Sequence, residues 1–156
     1  MGLFDIFNKK LTHSNNVEKK QKNIEWKSIP VPILTNTPIQ GYSLPRPFSF
    51  YVVGNGSFIF EITNENLFSG EKEHNENTVN ELVQNMFANY INMIGKEITV
   101  KSDNMADQIN VEQFVKFVNE RNEYSEGFII LNFTINELVL TDDSKKSLEE
   151  ITKRIN

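Results

Sequence analysis

Phe, Ile, Val and Leu supply 49 of the 156 residues, a share well above that of disordered chains, so a single domain with a substantial hydrophobic core is expected. Cysteine is absent, which excludes disulfides, thiolate metal sites and cysteine nucleophiles and suits a reducing cytosol. The formal charge is -5, and residues 1–27 hold six Lys against Asp5, Glu18 and Glu25, so the remainder is more acidic still and poorly suited to binding a phosphate backbone.

Apolar runs reach only four residues, as in Phe128-Ile-Ile-Leu, far short of the roughly 20 needed to cross a bilayer. Asp5 and Asn8 interrupt the N-terminus where a secretory leader would need an apolar stretch. Ile6 stands where a myristoylation motif starting at Gly2 needs Ser or Thr. The 21 Asn, 13 Lys and 16 Ile resemble the usage of proteins from AT-rich bacterial genomes.

Drawn as a helix, the N-terminus places Leu3, Phe4, Ile6, Phe7 and Leu11 on one arc, with Asp5, Asn8 and Thr12 opposite and Lys9 and Lys10 near the borders. Such a segment suits the headgroup region of an anionic membrane, with each lysine near the surface worth about 1 kcal/mol. The same face could instead dock on the protein's own core or on a partner. The Asn-, Lys- and Ser-rich stretch 8–23 reads as a linker. Residues 1–23 are therefore expected to be an N-terminal amphipathic segment and linker, and 24–156 a single domain.

All five prolines fall between Pro30 and Pro47, so this stretch must be extended, edge-like or irregular. Gly54-Asn55-Gly56 separates two aromatic and β-branched runs and predicts a hairpin turn. Residues 64–69 suggest one helical turn closed by Gly70, and 71–76 a charged loop. Thr78-Val-Asn-Glu81 reads as a capping box opening a helix over 79–94, which Gly95 ends. A second helix is predicted over 103–122, with Asn110 and Val111 as a point of interruption. The run 127–140 alternates, predicting one long strand that buries Ile129, Leu131, Phe133, Ile135 and Val139. Thr141-Asp-Asp-Ser144 then offers caps for a helix carrying Leu148, Ile151 and Ile155.

Catalytic chemistry finds little support. His13 lies in the linker and His74 in the charged loop, neither within a metal-ligand spacing, and Asp142 and Asp143 read as helix-start acids rather than an acid and base couple. No catalytic, cofactor-binding or metal-binding residue is assigned. The candidate contact residues are those of the membrane-facing segment: Leu3, Phe4, Ile6, Phe7, Lys9, Lys10 and Leu11.

The run Gly127-Phe-Ile-Ile-Leu-Asn-Phe-Thr-Ile-Asn-Glu-Leu-Val-Leu, followed at once by an acidic helix start, resembles the final strand and helix of SPFH domains, the stomatin, prohibitin and flotillin relatives. Ile24-Glu-Trp-Lys, Pro30-Val-Pro-Ile-Leu, Arg46-Pro-Phe-Ser-Phe-Tyr and Phe58-Ile-Phe-Glu-Ile-Thr-Asn-Glu-Asn-Leu-Phe resemble the soluble bacterial branch described as virion-core-protein-like. The resemblance spans residues 24–155 and rests on patterned apolar positions. Against that branch the chain looks shortened at both ends, lacking earlier strands and the later long helical region or zinc ribbon. It implies a non-enzymatic, self-associating scaffold at the cytoplasmic face of a membrane. The expected fold is α+β, a small, mostly antiparallel sheet packed against two or three helices. The alternative reading is a small acidic cytosolic inhibitor or immunity-type protein that binds a basic partner.

Overall fold

The computed structural model describes residues 21–35, 43–67, 72–122 and 127–155. The chain forms β1 (Gln21–Lys27), β2 (Val31–Thr35), β3 (Phe48–Ile62), α1 (Lys72–Ile94), α2 (Val111–Asn122), β4 (Phe128–Leu140) and α3 (Asp142–Ile155), with short 3-10 turns at Glu65–Leu67, Gly95–Glu97 and Ala106–Gln108. The fold is α+β: a four-stranded antiparallel sheet with helices packed on it.

The 15-residue strand β3 is the spine of the sheet. On one side it pairs with β1 through Lys27 opposite Asn55 and Trp26 opposite Gly56, and then with β2 through Val31 opposite Val52. Between those registers the chain uses Ser28, Ile29 and Pro30 to pass two residues of β3, which is a bulge that throws Ile29 outward to 78% exposure. Ser28 holds the bulge in place, donating its amide to the Gly54 carbonyl at 2.8 Å while its hydroxyl accepts from the Gly54 amide at 2.8 Å. Pro32 is tolerated in β2 because this is an edge. On its other side β3 pairs with β4 from Val52–Leu140 to Ile62–Phe128.

No hairpin forms at Gly54-Asn55-Gly56, contrary to the turn expected there; all three residues lie inside β3. The two glycines fall on the buried face of the strand, in phase with Phe50, Val52, Phe58 and Phe60. They are small because Trp26 and the β4 backbone occupy the space their side chains would need: a Cβ on Gly56 would lie 2.0 Å from the Thr134 carbonyl oxygen.

The alternation expected along β4 holds only in its middle. Phe128 and Ile130 are buried at one end, Phe133 in the centre, and Leu138 and Leu140 at the other end. The β3–β4 register skips Leu131 and Asn136, and each bulge reverses which parity faces inward. Ile129 and Val139 therefore lie half-buried and Leu131 exposed, rather than in the core.

Helix α1 starts at Lys72, so residues expected in a charged loop form its first turn and Thr78 to Glu81 lies within it. Its inward stripe is Val79, Val83, Phe87, Tyr90 and Ile91. The second helix begins at Val111, not at 103, because Asn110 is its cap: the side-chain oxygen accepts from the Gln113 amide at 3.1 Å. Phe114 and Val118 bury its face. Trp26, Phe87, Phe114 and Phe133 meet at the centre, with Phe114 and Phe133 edge to face at 4.7 Å and Trp26 stacked on Phe133 at 5.2 Å. Helix α3 opens as expected, with Thr141 capping Ser144 at 3.4 Å and Leu148 and Ile151 buried.

Candidate functional site

The helices cover one face of the sheet, and the opposite face is built from the odd-numbered residues of β3 with their cross-strand neighbours. Near β2 this open face carries Pro32, Leu34 and Tyr51, the last two 49% and 44% exposed. Its centre is polar, a shallow concavity of about 640 Å³ lined by Asn23, Glu25, Lys27, Asn55, Ser57 and Asn136, among others. Its floor is tied together by the Ser57 and Thr134 hydroxyls, 2.9 Å apart. A second concavity of about 330 Å³ lies between the 44–48 segment and α3, with Arg46 and Arg154 beside the apolar Leu44, Phe48 and Ile151.

The two edges of the sheet are finished differently. On β4, side-chain amides stand in for a further strand. Asn119 of α2 accepts from the Ile130 amide at 2.8 Å and donates to its carbonyl at 2.9 Å. Asn104 accepts from the Leu138 amide at 2.9 Å and donates to the Asn136 carbonyl at 3.0 Å, while the Met105 amide donates to the Leu138 carbonyl at 2.8 Å. Where β4 ends, the Ser144 hydroxyl accepts from the Tyr51 amide at 2.8 Å and the Thr141 amide donates to the Tyr51 carbonyl at 2.9 Å. The β4 side of the sheet is thereby closed at several backbone groups that another chain could otherwise pair with.

Along β1 no such closure is seen among the described residues. Among the described residues no strand pairs with its outer edge, and no hydrogen bond engages the side chains of Asn23, Glu25 or Lys27. The direction of its backbone groups follows from the ladder. The Ser28 amide points inward to Gly54 in the register of β1, so the amides and carbonyls of Gln21, Asn23, Glu25 and Lys27 point outward.

The membrane-facing candidates Leu3, Phe4, Ile6, Phe7, Lys9, Lys10 and Leu11 lie outside the described residues, as does His13. His74 falls in the first turn of α1. Asp142 and Asp143 sit exposed at the start of α3, where they complement the helix dipole. Among the described residues, no group of His, Asp and Glu is arranged to hold a metal ion, and no helix is long and apolar enough to cross a membrane. The edge-closing amides Asn104 and Asn119 escaped the sequence reading, because in a chain with 21 Asn nothing local marks two of them as strand substitutes. No protein-family model matches the chain, and no curated protein matches it in sequence.

Proposed function

We propose that this chain is a non-enzymatic scaffold of SPFH-like type, which associates with itself through its sheet and attaches to an anionic membrane surface through the segment Leu3, Phe4, Ile6, Phe7, Lys9, Lys10 and Leu11. The observation that carries the self-association is the difference between the two edges: β4 is closed by Asn104 and Asn119, whereas among the described residues nothing closes the outward row of backbone groups on β1. The support for an SPFH-like assignment is the apolar-rich run of β4 passing directly into α3, whose first turn carries Asp142 and Asp143. Membrane attachment rests on the amphipathic pattern of residues 1–11, where one copy binds weakly and an assembly of copies binds strongly, since each later insertion is effectively intramolecular.

Light scattering on the full chain over a range of concentrations tests the first half, and flotation with anionic vesicles the second. Phe4→Ser with Phe7→Ser should abolish flotation at any salt, whereas Lys9→Gln with Lys10→Gln should weaken it mainly at low ionic strength. A protein that stays monomeric at high concentration and never floats overturns this reading in favour of the acidic binding module.

A further inference from the structure

We infer that two copies of this chain join β1 to β1 in antiparallel fashion about a twofold axis at Ile24, making one continuous sheet across both copies. The inference deepens the self-association proposed above and rests on it, since it names the seam.

Three observations point there. The outward backbone groups lie on Gln21, Asn23, Glu25 and Lys27, spaced evenly on either side of Ile24, so a twofold at that residue sets outward groups opposite outward groups. In this register no like charges meet: Lys27 faces Gln21 of the second copy, Glu25 faces Asn23, Lys22 faces Trp26, and Ile24 faces Ile24. A twofold at Glu25, by contrast, would set two carboxylates opposite one another. Trp26 is meanwhile anchored within its own copy, its indole N–H donating to the Thr134 carbonyl at 3.1 Å, so β1 is fastened to the core beneath it. The charges on this edge thus limit it to a register rather than prevent pairing.

Because the chain has no cysteine, the seam can be tested by a single introduced thiol. Ile24 belongs to the inward-bonding set, so across the axis its Cα atoms would stand about 4.5 Å apart, the close type of antiparallel pair and within disulfide range. Ile24→Cys should cross-link to a covalent dimer under mild oxidation, while Lys22→Cys, far from its own counterpart, should not. Glu25→Pro removes one outward amide and leaves the β1–β3 ladder intact, so it should weaken dimerisation at least about tenfold with an unchanged circular dichroism spectrum. Equal cross-linking of both cysteine variants, or an oligomer indifferent to Glu25→Pro, overturns the seam while self-association stands. A monomeric wild type overturns both.

Discussion

Trp26 lies directly opposite Gly56 in the β1–β3 register, and the indole N–H passes over that glycine to reach the Thr134 carbonyl on the far strand at 3.1 Å. Three strands are tied across one residue that has no side chain. A Cβ at Gly56 would lie 2.0 Å from the Thr134 oxygen and 3.0 Å from the indole nitrogen, whereas at Gly54 its nearest neighbours would be at 3.1 and 3.2 Å. Gly56→Ala should therefore cost about 3 kcal/mol or more, or prevent folding, and Gly54→Ala about 1 to 3 kcal/mol, measured by urea denaturation. Trp26→Phe should not rescue Gly56→Ala, because the tighter contact is with backbone.

The aromatic centre sets a second expectation. Phe87 and Phe133 are fully buried and meet each other at 5.7 Å, so truncating either to Ala should cost about 3 to 5 kcal/mol. Their effects should fall short of additive in the double variant, since the rings share partners in Trp26 and Phe114. Denaturant titration followed by circular dichroism checks both statements.

Removing an edge closure should act on stability and on association together. Asn119→Ala leaves both backbone groups of Ile130 without their partner, and Asn104→Ala does so for the Leu138 amide and the Asn136 carbonyl. Each should cost about 1 to 3 kcal/mol. Each should also raise concentration-dependent aggregation, read by light scattering, by uncovering part of a second edge.

Tyr90 supplies a pH dependence. Burial, and to a smaller degree the nearby Glu97 carboxylate, raise its phenol above the ordinary value of 10.0. The folded state then keeps a proton that the unfolded chain gives up, so the contribution to stability is fully present below pH 10 and is lost as the pH climbs through the raised value. Tyrosine absorbance should show Tyr90 ionising above the ordinary range, and Tyr90→Phe should flatten the alkaline fall in stability.

What the sequence determined by itself was the inventory of elements whose periodicity is local. The apolar spacing from Val79 to Ile91, the apolar and β-branched run that makes β4 a strand, and the cap at Thr141 are each written in adjacent residues, so these elements were legible without knowing their neighbours. The edge placement of Pro32 was legible for the same reason, since a missing amide is a property of the residue itself. Tertiary structure decided the rest. Gly54 and Gly56 carry the composition of a turn, yet they became a strand interior because a tryptophan distant in sequence fills the space above them. The inward face of β4 depended on bulges at Leu131 and Asn136, which exist only against β3. The difference between the sheet edges arose from Asn104 and Asn119, whose amides mean nothing until the fold carries them to within 3.0 Å of the outer backbone groups of β4. Local chemistry selects a conformation for a segment, but which of its polar groups remain unpaired is settled only when the segments meet.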